Sequence, residues 1–327
     1  MKNDLFDGLK AKIAGKHLKI VFPEGIETRI IGAAYRLQAE ELITPILLGN
    51  VEEVSATLRA RGLQSSSFTI IDPADYDQFD KMVAAFVERR GGKVSEAQAR
   101  DILLDVNYFG TMLVYMGLAD GLVSGAIHST ADTVRPALQI IKTKPGVSRT
   151  SGAFLMVRAY GKEKYIFSDC AINIEPDAKA LSEIAIDSAE TAQLFDIEPR
   201  VAMLSFSTNG SGASPDVTRV VEATKLAKES RPDLKIDGEM QFDAAFVPEV
   251  GRLKFPDSQV AGNATVFVFP DLQSGNIGYK IAQRLGNFEA IGPILQGLNK
   301  PVSDLSRGSN EEDVYKLSII TAAQALM

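Results

Sequence analysis

Short apolar runs alternate with stretches of helical period along most of this chain, and that alternation restricts its fold more than any other feature. Residues 18–22, 44–48, 68–71 and 121–127 read as strands. Residues 28–42 and 51–61 read as helices, as does a long region at 76–118 broken at Gly91-Gly92, and Ser129 opens another. Strands separated by helices specify parallel β-α-β units. The pattern changes after Lys144-Pro145-Gly146, where 151–158 and 164–168 read as a hairpin turning at Tyr160-Gly161-Lys162. Alternation then resumes. Helices are expected at 177–195, 215–228, 278–285 and 311–326, with strands at 201–206, 234–236 and 266–269. At 327 residues the chain exceeds what one compact core usually holds, so two α/β domains sharing a cleft are expected.

Charge and residue usage exclude several kinds of chemistry. Lys and Arg number 35 against 42 Asp and Glu, and a net charge of −7 argues against non-specific nucleic-acid binding while permitting a local basic pocket. The single cysteine, Cys170, rules out a disulfide framework within the chain and fits a reducing compartment. Residues 1–16 alternate charged and apolar side chains, unlike a signal peptide, and no run has the length of a membrane span; a cytoplasmic protein is expected. Only His17 and His128 are present, with no His-x-x-x-His or Cys/His cluster, so no metal site is expected. Neither a P-loop nor a Gly-x-Gly-x-x-Gly after a strand occurs. An enzyme of this composition has a carboxylate for its acid–base group, and arginines and helix N-termini for anions. His17 reads as solvated, His128 as structural and Cys170 as a packed thiol.

Three segments could carry such chemistry. Ser129-Thr130-Ala131-Asp132-Thr133-Val134-Arg135 follows a strand and opens a helix, placing hydroxyls, backbone N–H groups and Arg135 toward an anion. Ser129 with Asp132 equally fits a plain capping box. Asp304-Leu305-Ser306-Arg307-Gly308-Ser309 leads into a helix that Ser309 and Glu312 would cap, with Asp313 in its first turn. Hydroxyl, cation and carboxylate would then lie close together, or the segment is a well-capped surface helix. The stretch from Phe269-Pro270-Asp271 to Gly278, followed by Lys280 and Arg284, suits phosphate contact or is an ordinary β-α connection. Ser205–Gly212 is a comparable loop, either an anion nest or a flexible turn.

These segments together resemble the short, single-module phosphate acetyltransferases over nearly the whole chain. The carriers are Phe22-Pro23-Glu24-Gly25, the run from Ser129 through Arg135 to Gly146, Ile236-Asp237-Gly238-Glu239-Met240-Gln241-Phe242-Asp243, the segment from Phe269 to Leu285, and that from Gly292 to Gly308. The resemblance implies two α/β domains with mostly parallel sheets around an interdomain cleft, in a topology like that of isocitrate and isopropylmalate dehydrogenases. The second domain is inserted: 1–147 plus 298–327 form the first and 148–297 the second. It implies a homodimer acting on coenzyme A, acetyl phosphate and phosphate, with coenzyme A a substrate and no cofactor. Ser306, Arg307 and Asp313 match the family's catalytic serine, arginine and aspartate. Arg135 and Arg284 match arginines associated with coenzyme A, as does Arg89 next to Arg90, and Ser129, Thr130 and Thr133 join the substrate-binding set. Some relatives carry a reactive cysteine near the active site and one directly after the Ser-Arg-Gly; here that second position is Ser309, so sensitivity to thiol reagents is not carried over.

By the same resemblance, Asp313 takes the coenzyme A proton, Arg307 binds the phosphoryl group and Ser306 donates to the oxygen where charge develops. A helix N-terminus and Arg307 would both keep Asp313 ionised and weakly basic, so either the surrounding cations also stabilise the thiolate or burial raises the Asp313 pKa. The rivals are a phosphate butyryltransferase, a sensor of acyl phosphate or coenzyme A without turnover, and a metal-dependent decarboxylating dehydrogenase, for which Asp237, Glu239 and Asp243 would supply the metal ligands.

Overall fold

The computed structural model describes residues 6–159 and 161–327. Tyr160, the first residue of the expected hairpin turn, and residues 1–5 of the N-terminal segment lie outside the described residues. Eleven strands occur among the described residues: β1 Lys19–Phe22, β2 Thr44–Leu48, β3 Thr69–Ile71, β4 Gly121–Ser124, β5 Ser151–Arg158, β6 Glu163–Ser168, β7 Arg200–Leu204, β8 Lys235–Met240, β9 Val266–Val268, β10 Glu289–Gln296 and β11 Val302–Asp304. They form two sheets, and the chain divides into two compact units. One comprises Leu9–Lys144 with Leu298–Met327; the other is built on Pro145–Gly297. The protein is thus an α/β protein with mostly parallel sheets.

The sheet of the first unit has the order β11-β4-β1-β2-β3, with every neighbouring pair parallel. Its middle strands are apolar and buried along nearly their whole length, as expected of a parallel sheet covered by helices. Several helix starts are set by a short polar side chain. Asn50 caps Val51–Ala60, Ser95 caps Glu96–Ile102 and Asp105 caps Val106–Tyr115. The region 76–118 is therefore three helices rather than one, because Gly91 takes a left-handed φ of 56° at the end of Phe79–Arg90 and two new caps follow. The last helix, Glu311–Gln324, packs on Thr28–Ala39 and buries Val314, Tyr315, Leu317, Ile319 and Ile320. Its return to the first unit joins β11 to β4.

The sheet of the second unit has the order β10-β5-β6-β9-β7-β8. β5 and β6 pair antiparallel, which is the expected hairpin, and β10 adds antiparallel at the edge. β6, β9, β7 and β8 are parallel. An aromatic core fills one face, with Phe154, Phe167, Phe267 and Phe269 buried and Tyr165 packed against them. Two departures from the sequence reading have local causes. The helix expected at 278–285 starts at Leu272, because Asp271 caps it by accepting from the Ser274 N–H at 2.8 Å. The short helices Phe242–Phe246 and Pro248–Lys254 and the strands β10 and β11 carry no clear period and were not expected. No helix among the described residues is long and apolar enough to cross a membrane.

Candidate active site

The first unit gathers most of the predicted site at the carboxyl ends of β1, β4 and β11, where ligands bind in open α/β sheets. The strand expected at 121–127 stops at Ser124. Ser124 pairs with Asp304, and the Leu305 N–H donates to the Ser124 carbonyl at 2.7 Å, so the two chains leave the sheet in contact. Gly125 follows at φ 111°; a Cβ there would sit 2.5 Å from the Leu305 carbonyl oxygen. Only glycine allows both the φ value and the approach.

Past Gly125 the backbone turns onto Glu24, at the end of β1. The buried Glu24 carboxylate accepts from the N–H groups of Ala126, Ile127 and His128 at 2.9, 2.8 and 2.9 Å, and from His128 Nδ1 at 2.9 Å. Burial pushes the carboxyl upward, but the His128 side chain and the three backbone donors outweigh it and hold Glu24 below the usual carboxylate range. The same contact raises His128 against the opposing effect of its own partial burial. His128 is thus tied to a loop-holding carboxylate.

The helix Thr130–Pro136 opens with a true capping box. Ser129 Oγ donates to Asp132 Oδ2 at 2.6 Å, the Ser129 N–H donates to the same oxygen at 3.1 Å, and the Asp132 N–H donates to Ser129 Oγ at 3.3 Å. Thr130 is exposed and Thr133 buried. Beneath them lies Asp304, itself 3% exposed. Burial raises its carboxyl to about 6; the Thr130 and Thr133 hydroxyls pull it down, and the Glu24 charge adds to the rise. Asp304 Oδ1, Thr133 Oγ1 and Ser124 Oγ find no hydrogen-bond partner among the described residues. Arg135 is exposed in the last turn and has no ion-pair partner among the described residues. Arg89 is placed differently. Its Nε and Nη2 donate to the carbonyls of Ile140 and Ile141 at 2.6 and 3.1 Å, and its guanidinium lies 4.9 Å from the centre of the Tyr115 ring. That guanidinium ties off the π-helical turn Ala137–Ile141 that continues the Arg135 helix.

Ser306, Arg307 and Gly308 form an exposed turn, in which the Ser309 N–H donates to the Ser306 carbonyl at 2.9 Å and the Gly308 N–H to Ser306 Oγ at 3.2 Å. The cap of the next helix is not the expected Ser309–Glu312 pair. Asn310 is the cap: its Oδ1 accepts from the Asp313 N–H at 3.0 Å, and Asp313 Oδ2 accepts from the Asn310 N–H at 2.9 Å. Glu312 turns instead to Arg36, and Glu311 to Arg61. Asp313 is the one acidic residue of this turn with no cation partner among the described residues, and it is exposed, as is Arg307.

Sequence reasoning missed Arg29. Its Nη1 donates to the carbonyls of Arg307 and Ser309 at 3.0 and 2.6 Å, and its Nη2 to that of Ala126 at 3.0 Å. The only signal available was its place four residues past the Phe22–Gly25 motif.

In the second unit, Arg284 is exposed in the last turn of Leu272–Leu285. The Ser205–Gly212 loop is not open: Glu239 Oε1 accepts from Ser207 Oγ at 2.7 Å and from the Gly210 N–H at 2.8 Å. The carboxylates weighed as metal ligands have separate partners. Asp237 meets Lys228 at 2.8 Å and Asp243 meets Lys254 at 2.9 Å. No group of three or more His, Cys, Asp or Glu side chains placed to hold a metal occurs among the described residues. Cys170 is fully buried, and burial and then the Asp169 charge push its thiol well above the usual range.

A fold of two such sheets with this polar loop cluster defines a class, and comparison with known proteins names it. The family model described as phosphate acetyl/butaryl transferase matches residues 4–322, and the chain belongs to that family. It is 63% identical over 99% of each chain to the phosphate acetyltransferase of Bacillus subtilis (strain 168). It also superposes on the crystal structure of a phosphotransacetylase from Streptococcus pyogenes with a TM-score of 0.97, at 66% identity and 98% coverage of both chains. The dehydrogenase-like topology has its counterpart in a putative 4-hydroxythreonine-4-phosphate dehydrogenase from Salmonella typhimurium. That match has a TM-score of 0.54 at 15% identity, covers 95% of this chain and 99% of the other, and speaks to fold alone.

Proposed function

We propose that this protein is a phosphate acetyltransferase, interconverting acetyl-coenzyme A plus phosphate with coenzyme A plus acetyl phosphate. The family match over nearly the whole chain carries this reading. The arrangement of the first unit supports the chemistry: a carboxylate, a fixed cation and a hydroxyl lie within one turn and one helix start, and neither charge is neutralised by a neighbour among the described residues.

The thiol of coenzyme A resembles that of cysteine, with a pKa of about 8.5, so forming the thiolate at pH 7 costs roughly 2 kcal/mol. Asp313 removes that proton as attack proceeds. Its capping role favours this geometry, because the bond from the Asn310 N–H fixes one oxygen and leaves the other to accept. The sulfur attacks the carbonyl carbon of acetyl phosphate, the carbon–oxygen bond to phosphate breaks, and phosphate leaves with that electron pair. Arg307 holds the phosphoryl oxygens as a two-pronged donor. The Ser306 hydroxyl donates toward the oxygen that gains charge, which requires it to keep its hydrogen; its bond with the Gly308 N–H satisfies this, since there the oxygen accepts. Arg135, exposed and without an ion-pair partner among the described residues, holds an anionic part of coenzyme A, with Thr130 in the same helix. Arg284 is exposed on the second unit and, by the family resemblance, is associated with coenzyme A. Ser129 acts through the helix start it caps, since its hydroxyl is committed to Asp132, and Thr133 is buried next to Asp304. Arg89 supports the Arg135 helix from behind.

The reaction needs no prosthetic group or metal, and coenzyme A places the enzyme in the cytoplasm, where that thiol is kept reduced. The second unit leaves Phe242, Phe246, Ile277, Ile281 and Leu285 exposed, and this apolar surface is the dimer contact in our reading. The decisive experiment follows thioester formation with acetyl, propionyl and butyryl phosphate, with and without chelator. Acetyl phosphate should give the highest kcat/KM and chelator should change nothing. A clear preference for butyryl phosphate, or dependence on a divalent ion, would replace this reading. Light scattering in solution should give twice the chain mass.

A further inference from the structure

We infer that Arg29 is a positioning residue that sets the height and direction of the Ser306–Ser309 turn over the sheet, and so delivers the Arg307 side chain to its substrate; this rests on the role of Arg307 given above. The turn has little to hold it. It is exposed, it contains Gly308, and its internal bonds are the two from Ser309 to Ser306 and from Gly308 to Ser306. Two of its carbonyls, those of Arg307 and Ser309, accept from Arg29 Nη1 at 3.0 and 2.6 Å. The other arm of the same guanidinium, Nη2, donates to the Ala126 carbonyl at 3.0 Å.

Ala126 is itself fixed from the opposite side, its N–H donating to the buried Glu24 at 2.9 Å. A continuous path therefore runs from the end of β1, through Glu24 and residue 126, across the rigid plane of Arg29, to residues 307 and 309. Arg29 cannot also serve as an anion ligand in this arrangement. Its Nε donates to Glu27 Oε1 at 2.9 Å, which balances its charge, so four of its five N–H groups are engaged by Glu27 and the three carbonyls. Lysine could not replace it. A single ammonium on a flexible stem lacks the planar fork that spans three carbonyls on two loops.

The effect should appear in kinetics more than in folding. Freed of Arg29, the two carbonyls turn to water and the turn samples other heights. Displacement of a reacting group by about 1 Å can cost about 100-fold in rate. Arg29→Gln should lower kcat by about 10- to 100-fold and raise the acetyl phosphate KM, with the coenzyme A KM changed less than about twofold. A merely structural arginine would act alike whatever residue 307 is. The test is therefore a double-mutant cycle with Arg307→Ala, which keeps the carbonyl that Arg29 holds but removes the side chain it would position. Arg29→Gln should cost less than about twofold in the Arg307→Ala background. Equal losses in both backgrounds, or no loss in the wild type, would overturn the inference. If Arg307→Ala alone leaves kcat and both KM values intact, the assignment of Arg307 fails first, and the role given to Arg29 fails with it. Should Arg29→Gln not fold, Arg29→Lys keeps charge and length and carries the same cycle with the same outcomes.

Discussion

The two sheets end in different ways, although both present carboxylates at the carboxyl ends of parallel strands. In the second unit β6 ends beside Asp169, and the buried Asp169 side chain accepts from the N–H groups of Gly152, Ala171, Ile172 and Asn173 and from Asn173 Nδ2. Glu239, near the end of β8, is likewise taken up by its own loop. In the first unit Glu24 plays that structural part, but Asp304 lies buried without such donors, and Asp313, Arg307 and Arg135 face outward without an ion pair among the described residues. A carboxylate surrounded by backbone donors is used up in holding a loop. One that spends a single oxygen on a cap, as Asp313 does, keeps the other free to accept a further hydrogen bond.

The strongest way to break this contrast is at Asp313. Asp313→Asn keeps an acceptor for the Asn310 N–H, so the helix cap survives and stability should change by less than about 1 kcal/mol. Turnover should fall by about 10²- to 10⁴-fold at neutral pH, with both KM values little moved, and raising the pH should recover part of the loss through free thiolate. Steady-state kinetics between pH 6.5 and 9 decide it. Near-native kcat in the folded variant would mean that thiolate stabilisation by cations suffices.

Asp304 is the next point of attack, because its burial predicts a stability cost that Asp169, with its five donors, should not impose. Its carboxyl is raised from 3.8 to about 6 in the native state. Between those values the native protein binds more protons than the unfolded chain, so this group's contribution falls as pH rises from about 4 to about 6 and stays low above. A rise of about two units corresponds to about 3 kcal/mol. Asp304→Asn should therefore be more stable than the wild type by up to about 3 kcal/mol at pH 7.5, with the advantage shrinking toward zero by about pH 4. Urea midpoints of the two proteins at both pH values check this, and the difference between them removes the opposite contribution of Glu24, whose lowered pKa makes its stability fade on acidification. A variant less stable than the wild type at pH 7.5 would show that the Thr130 and Thr133 hydroxyls hold Asp304 as a charged partner.

How much of this was legible in the sequence follows from the range of the interactions. The parallel units, the hairpin and the Ser129–Asp132 cap rest on local period and spacing, and they are present. The cap at 310 was misread because Ser309–Glu312 and Asn310–Asp313 both fit a capping box. What separates them is Arg36, which draws Glu312 away while lying 3.6 Å over the Tyr315 ring, a contact between distant segments. β10 was invisible because Gly292-Pro293 interrupts it; the register shifts between Ile291 and Ile294, which an edge strand tolerates. Arg29 could not be assigned at all, since its acceptors are backbone carbonyls 97, 278 and 280 residues away, and carbonyls have no sequence signature.

A smaller effect sharpens the contrast between arginines. The family resemblance assigns both Arg135 and Arg89 to coenzyme A, yet one is open and the other holds carbonyls. Arg135→Ala should raise the coenzyme A KM by about tenfold or more, the size of one charge-assisted hydrogen bond, and leave the melting temperature nearly unchanged. Arg89→Ala should do the reverse, lowering the melting temperature first. If both variants raise the KM equally without loss of stability, Arg89 leaves the carbonyls to reach the substrate, and the difference between the two collapses.

The smallest effect is expected at Cys170, where the second unit offers the one thiol that could rival the site in the first. Cys170 belongs to the buried core cluster that includes Phe154, Phe167 and Phe269, and its backbone N–H donates to the Gly152 carbonyl at 3.0 Å. Burial, with the Asp169 charge behind it, keeps the thiol protonated far above neutral pH, whereas a nucleophilic cysteine needs the opposite surroundings: exposure and a nearby cation. Cys170→Ala removes one small apolar group from a packed core and should cost about 1 kcal/mol of stability. Because the hydrogen bonds at Cys170 come from the backbone, Asp169 and its loop stay in place, and kcat should remain within a few fold of the wild type. Rapid quench with labelled acetyl phosphate and no coenzyme A should leave no label on the protein. Label that appears on the wild type and not on the alanine variant would establish an acyl-enzyme in the second unit and make that sheet, not the parallel one, the seat of the chemistry.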